Sequence, residues 1–266
     1  MTDHYAVLGN PVSHSKSPLI HAEFARQTNR DMTYEAILAP LDGFRETVEK
    51  LRKEGYRGCN VTVPFKQEAW QLASELTPRA LDAEAVNTLK FVDSATLGDN
   101  TDGAGLVADI TKNLKFEISG KRILLMGAGG AARGVIRPLL EAGPKEFVIA
   151  NRTAARAEML AEKFRIAAKA YADLAGSQFD IVINATSSGL KDEMPPLPSG
   201  LFPKDSLAYD MMYGRITPFM KFAEKEGASE ISDGLGMLVE QAAESFFLWQ
   251  QVRPETKSVI EKLRSC

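Results

Sequence analysis

The sequence predicts an α/β protein of two domains, the second a Rossmann-type doubly wound parallel sheet. Three observations carry that expectation. A chain of 266 residues exceeds the usual size of a single hydrophobic core, so two domains are the natural division. Strand-like and helix-like segments alternate through the first hundred residues, the pattern of an α/β layer structure. From Arg122 the alternation resumes with an apolar strand that runs into a glycine-rich turn and then a helix, the opening unit of a nucleotide-binding sheet.

In the first domain the pattern predicts a strand over 5–8 and a helix over 18–28. Ser17 is its expected N-cap, with Pro18 at the first helical position. A strand over 34–38 and a helix over 44–54 follow, the helix stopped by Gly55 after Arg52, Lys53 and Glu54. Over 59–63 the sequence alternates, placing Asn60 and Thr62 on one face and Val61 and Val63 on the other until Pro64 ends the strand. A helix is expected over 67–76 and a strand over 87–92. Residues 97–103, LGDNTDG, cluster turn formers and are read as the crossing into the second domain.

The second domain is expected to contain a strand over 122–126, a helix over 130–142 ended by Gly143 and Pro144, a strand over 146–150 and a helix over 154–164. Strands over 180–184 and 207–210 complete it. Beyond Gly234, residues Leu238, Ala242, Phe246 and Trp249 fall on one helical stripe that needs a surface to cover it. That helix and a short one over 257–263 are expected to return to the first domain. The division is therefore 1–103 with 236–266 as one domain, and 104–235 as the other, which carries the glycine-rich turn.

Composition narrows the partners. The net charge is only −3, with 25% of residues charged and both signs interspersed, so nucleic acid is not an expected partner. No apolar run approaches the ~20 residues needed to span a bilayer, and the first residues lack a basic segment followed by an apolar stretch. A soluble, cytoplasmic protein is expected, as a monomer or homodimer. Cys59 and Cys266 are the two cysteines, without a CxxC pair, and are read as free thiols. His4, His14 and His21 form no i, i+4 pair, so no metal site is expected.

Gly127, Gly129 and Ala132 fall in the G-x-G-x-x-A order that opens a dinucleotide-binding helix. Gly127 permits the tight turn, Gly129 lets a pyrophosphate approach the backbone, and Ala132 allows close packing of helix on sheet. The end of the next strand selects the cofactor. An NAD site places Asp or Glu there for the ribose 2′-hydroxyl, whereas this chain has Asn151, Arg152 and Thr153. A guanidinium suits a 2′-phosphate through charge-assisted hydrogen bonds. NADP (NADPH) is the predicted cofactor, with Arg156 one helical turn further on as a second cation.

Other candidates each admit two readings. Lys66 follows a strand's carboxyl end, where open α/β sheets hold ligands, yet most lysines are simply solvated. Asp102 is a ligand group or the N-cap of a following helix. The segment from Asn10 to Pro18 is rich in hydroxyls suited to a polyol, or is a loop and cap. Asn87 is a site residue or an ordinary strand start, and residues 185–189 are a site or a βα turn. Position alone does not choose between these.

Taken together, their order and spacing resemble one family. The chain resembles the shikimate dehydrogenase family of the NADP-dependent, biosynthetic type along nearly its whole length. The resemblance runs through GNPVSHSKSP (9–18), NVTVPFK (60–66), AVNTL (85–89), GDNTDG (98–103), GAGGAARG (127–134), NRT (151–153), INATSSG (183–189), YDMMY (209–213) and GLGMLVEQAA (234–243).

The resemblance implies a substrate pocket of Ser15, Ser17, Thr62, Lys66, Asn87, Asp102, Tyr213 and Gln241. It implies nucleotide contacts at Gly127, Ala128, Gly129, Gly130, Ala131, Asn151, Arg152, Thr153 and Arg156, with Thr186, Gly234 and Met237 near the nicotinamide. The implied small-molecule pair is 3-dehydroshikimate and shikimate, with Lys66 as acid and base and Asp102 as its partner. One carboxylate and three hydroxyls demand several short polar partners, which Ser15, Ser17, Thr62, Asn87 and Gln241 supply, the two serines receiving the carboxylate. The alternatives are a quinate/shikimate dehydrogenase, against which Arg152 argues, and a non-catalytic NADP-binding sensor, against which Lys66 and Asp102 together argue.

Overall fold

The computed structural model describes residues 2–186, 188 and 192–265. The chain forms two compact units, one of Met1–Gly105 with Leu238–Cys266, the other of Leu106–Met237.

The first unit is built on a mixed sheet. Its chain order is β1 (Asp3–Gly9), α1 (Ser17–Thr28), β2 (Met32–Leu38), α2 (Phe44–Lys53), β3 (Gly58–Val61), α3 (Lys66–Leu72), β4 (Glu75–Leu76), α4 (Pro78–Ala83), β5 (Thr88–Val92), β6 (Ala95–Asp99) and the start of α5 (Asp102–Ala108). The strands lie in the order β2-β1-β3-β5-β6-β4. β1 runs parallel to β2 and β3, while β5 runs antiparallel to both β3 and β6.

Successive residues of a strand face opposite sides, and β1 shows the division. Ala6 and Leu8 face a core with Phe44, Val48 and Leu51 of α2, whose i, i+4, i+7 spacing makes one apolar stripe. Tyr5 points the other way and stacks on Trp249 at 4.5 Å.

The second unit has a wholly parallel sheet. After a π-helical turn over Asp109–Asn113 come β7 (Arg122–Met126), α6 (Gly130–Glu141), β8 (Glu146–Ala150), α7 (Ala154–Phe164), β9 (Ala167–Lys169), β10 (Ile181–Asn184), β11 (Leu207–Asp210), α8 (Pro218–Lys225) and β12 (Glu230–Ser232). The order β12-β11-β10-β7-β8-β9 reverses direction at β7, as in doubly wound folds. Alternate residues of β7 serve cores on opposite faces, Ile123 and Leu125 on one, Leu124 and Met126 on the other. The two terminal helices, α9 (Leu235–Gln250) and α10 (Lys257–Arg264), pack Val239, Ala242, Ala243, Phe246, Val259 and Ile260 against Ile20 and Phe24 of α1 in the first unit.

Several local expectations are corrected. Ser17 is not a cap but the first residue of α1. Lys16 holds the cap position without a side-chain bond, and Ser15 Oγ accepts from the Ser17 N–H at 3.2 Å. The strand expected over 59–63 ends at Val61, because the Phe65 N–H bonds Thr62 O and closes a turn. Val63 is consequently 62% exposed, so the alternation stops short of it.

The helix expected over 67–76 ends at Leu72. Ser74 then exchanges hydrogen bonds with Thr96, which draws the chain into β4 beside β6. Thr77 caps α4, its oxygen accepting from the Ala80 N–H. Residues 97–103 are not a run of turns, since β6 occupies their first part and α5 starts at Asp102, and the division between the units falls just beyond them, after Gly105. β9, β12 and α8 were not anticipated. Cys59 is a buried free thiol whose pKa is raised by burial, while Cys266, Ser187 and Gly189 lie outside the described residues.

One buried group sets a pH dependence. His21 of α1 is fully buried and stacks on Tyr34 at 4.1 Å and 8°. Neither ring nitrogen makes a hydrogen bond of normal geometry among the described residues, although the Asn60 amide lies nearby. Burial pushes the imidazole pKa from 6.5 down to about 3, offset only in part by Asn60. Between those values the unfolded chain binds a proton that the folded chain does not, so folding stability falls as pH drops, by up to about 1.4 kcal/mol per unit. Urea unfolding at pH 7.5, 6.5 and 5.5 should show His21→Phe losing less stability on acidification than the parent. Equal slopes would refute the assignment.

Candidate active site

The pairing of the first sheet determines where its polar residues gather. β3 delivers Thr62 and then Lys66 beyond its carboxyl end. β5 runs the other way, so Asn87 at its start lies beside the same end of β3, with the Val61 N–H donating to Asn87 O at 2.8 Å. β6 in turn brings its own carboxyl end to this edge, where the Asn87 N–H donates to Asp99 O at 3.0 Å. Asn100, Thr101 and Asp102 follow at once. Residues far apart in the chain thus share one sheet edge because of strand direction.

At that edge Lys66 Nζ donates to Asp102 Oδ2 at 2.6 Å, and Asn87 Nδ2 donates to Asp102 Oδ1 at 2.8 Å. Both carboxylate oxygens are therefore engaged. Asn87 Nδ2 also reaches Gln241 Oε1 of α9 at 3.3 Å. The amide is oriented by chemistry: the Thr101 N–H, which can only donate, points at Asn87 Oδ1 at 2.9 Å, so the NH₂ group must face Asp102. The Asp102 side chain is 11% exposed and that of Lys66 28%. The carboxylate is thus held inside while the ammonium, a three-hydrogen donor, opens outward. Such a pair can hand a proton to an oxygen that is becoming anionic and can take it back in reverse.

The structure joins Lys66, Asp102, Asn87 and Gln241 directly. Thr62 sits next to the serine-bearing loop, since its Cγ2 occupies the space a Cβ on Gly9 would need and the Asn10 N–H donates to Val63 O. Ser15 and Ser17 lie on that loop and the first turn of α1, but no hydrogen bond links them to Lys66 or Asp102 among the described residues. Tyr213 is in the second unit, three residues past β11, half-buried, its phenol pKa raised by burial. Thr101 and Ser245 were missed at the sequence level. Their signal was slight, a threonine beside Asp102 and a serine one helical turn after Gln241.

In the second unit, the turn after β7 and the ends of β8 and β10 surround a cavity of about 440 Å³. It is lined by Gly127, Ala128, Gly129, Gly130, Ala131, Asn151, Arg152, Thr153, Arg156 and Thr186, with Tyr171, Ala185, Ser188, Glu193, Met194, Pro195 and Pro196 beyond those expected. Gly127 needs to be glycine for two reasons: its φ is +108°, and a Cβ there would stand 3.0 Å from Ala185 O. A Cβ on Gly129 or Gly130 would meet no protein atom within 4 Å, so the front of α6 is open to a ligand. The backbone N–H groups of a helix start favour a phosphate there. Arg152 and Arg156 are exposed and pair with no carboxylate among the described residues. Gly234 and Met237 do not line this cavity; Gly234 packs against the Met211 backbone and Met237 lies in the core.

A parallel sheet with an open glycine-rich anion cradle, and a mixed-sheet unit holding a lysine–aspartate pair, define the class as an α/β oxidoreductase that uses a nicotinamide dinucleotide. Residues 7–89 match the family model of the shikimate dehydrogenase substrate binding domain. Residues 109–191 match that of shikimate / quinate 5-dehydrogenase, and 234–264 that of the shikimate 5′-dehydrogenase C-terminal domain. The chain belongs to the shikimate dehydrogenase family.

Shikimate dehydrogenase (NADP(+)) of Methylobacillus flagellatus is 62% identical to it over 268 residues, covering 99% of each chain. Among solved structures, an Ael1 enzyme from Pseudomonas putida superposes with a TM-score of 0.95 at 47% identity, covering 98% of each chain. Shikimate 5-dehydrogenase from Thermus thermophilus, in complex with NADP(H) and shikimate, gives 0.89 at 35% identity and 99% of each. No helix among the described residues is long and apolar enough to cross a membrane.

Proposed function

We propose that this enzyme interconverts 3-dehydroshikimate and shikimate with NADP as cofactor, acting in the cytoplasm as a monomer or homodimer. The unit built from both ends of the chain binds the substrate, and the central unit binds the nucleotide. The observation that carries the reading is the 2.6 Å contact between Lys66 Nζ and Asp102 Oδ2, flanked by the amides of Asn87 and Gln241.

When bound, NADPH supplies the hydride that reduces the substrate's ketone carbon. Lys66 gives its proton to the oxygen that gains charge as the carbonyl becomes a hydroxyl, and in the reverse direction accepts it. Asp102 orients the ammonium and accepts a hydrogen bond from the substrate hydroxyl. Ser15 and Ser17 receive the substrate carboxylate, while Thr62, Asn87 and Gln241 pair with its hydroxyls. A site that matches each hydroxyl leaves polar groups unpaired when an analogue lacks one, which is the source of its discrimination. Arg152 and Arg156 meet the 2′-phosphate, a bidentate fork on a dianion.

An absorbance assay crossing shikimate and quinate with NADP and NAD tests the reading. The shikimate–NADP rate should dominate; a dominant quinate–NAD rate would replace it, and four null rates would leave a nucleotide-binding protein without this activity. Lys66→Met should lower kcat by about 100-fold or more while shikimate affinity stays nearly unchanged. Turnover within a few-fold of the parent would remove Lys66 from its role. Arg152→Asp should weaken NADP binding by about 10-fold or more through loss of a charge-assisted bond and added repulsion, with NAD little affected. A titration showing unchanged NADP affinity would contradict the 2′-phosphate assignment.

A further inference from the structure

Asp102 is held from behind by two features of α9. α5 begins at Asp102, and Gly105 lies one turn into it. A Cβ on Gly105 would stand 2.6 Å from the Gln241 backbone nitrogen and 2.9 Å from its Cα. Those atoms belong to a helix backbone and cannot rotate aside. The helix start that carries Asp102 is therefore seated directly on the backbone of α9, at the residue whose side chain reaches Asn87.

The second feature is Ser245, fully buried one turn further along α9. Its Oγ donates to Gln241 O at 3.0 Å, which leaves its lone pairs for neighbours. It accepts from Asn60 Nδ2 at 3.0 Å and meets Thr88 Oγ1 at 2.8 Å and Thr101 Oγ1 at 3.2 Å. The Thr101 N–H donates to Asn87 Oδ1 at 2.9 Å, and the hydroxyls of Thr88 and Thr101, each with one hydrogen to place, lie within hydrogen-bond distance of both that oxygen and Ser245 Oγ. Thr101 is also the peptide neighbour of Asp102. One turn of α9 thus reaches the residues around Asp102 along two routes, through the seat at Gly105 and through the hydroxyl cluster beside Asn87.

We propose that Gly105 and Ser245 are positioning residues for the Lys66–Asp102 pair, acting on turnover through the place of the Asp102 carboxylate. The inference rests on the proposed role of that pair. A misplacement of about 1 Å at a reacting group can cost about 100-fold, and Gly105→Ala should lower kcat for shikimate and NADP by about that factor. Ser245→Ala, which adds no volume, removes one buried neutral hydrogen-bonding group and should lower kcat by about 3- to 10-fold. NADP affinity, read by fluorescence titration, should stay within about two-fold in both.

A packing role alone would produce losses independent of Asp102, so each substitution is repeated in an Asp102→Ala background. There, each should cost less than about two-fold further, because the group being positioned is gone. Losses that remain multiplicative in that background, or single variants with parental kcat, overturn the proposal. If Asp102→Ala itself keeps parental turnover, the reading of the pair fails instead. Should Gly105→Ala not yield folded protein, Ser245→Ala with and without Asp102→Ala decides the matter alone.

Discussion

The ion pair between Lys66 and Asp102 is the constraint around which the first unit is arranged. A carboxylate only 11% exposed is costly unless it is paired and hydrogen-bonded. Lysine alone cannot satisfy it, since the ammonium covers one oxygen. Asn87 covers the other, and Asn87 must itself be oriented, which requires Thr101 and Thr88. Those hydroxyls need partners in turn, and Ser245 and Asn60 provide them. The cluster closes on Tyr34, whose hydroxyl donates to Asn60 Oδ1 at 2.7 Å. Each member is there because its neighbour would otherwise be buried and unpaired.

Strand direction makes this closure possible. A wholly parallel sheet would bring only carboxyl ends to the edge. The antiparallel β5 and β6 bring a strand start, carrying Asn87, to the end of β3, and then a strand end, carrying Asp99 to Asp102, beside both. Thr77 and Arg79 hold Asp99 from below, with Oδ1 accepting at 2.6 and 2.7 Å, and the Asn100 amide donates to Ala85 O. The segment leading to Asp102 is pinned residue by residue.

Much of the second unit was legible in sequence. Parallel strands buried on both faces read as continuous apolar runs, so β7, β8, α7 and β11 fall where the pattern places them. The first unit was harder to read. β4 has two residues and β6 contains a glycine and an aspartate, so neither carries a periodic signal. Their existence depends on pairing, and pairing overrode the helix expected through Leu76. The site divided in the same way. The glycine-rich turn and Arg152 speak from local chemistry, but Lys66 and Asp102, 36 positions apart, looked like a solvated lysine and a helix cap until the resemblance linked them. Thr101 and Ser245 had no local pattern, because their roles come from geometry across elements.

Asn87 shows how little room the cluster leaves for chemical drift. Its side chain differs from that of aspartate by an NH₂ group in place of one oxygen, with almost no change in shape. Conversion of that amide to an acid, by mutation or by spontaneous hydrolysis, would set a second anion against Asp102 in a place with almost no water to screen it. One of the two would then have to keep a proton, or the carboxylates would move apart and release the lysine. At this position size is interchangeable and polarity is not.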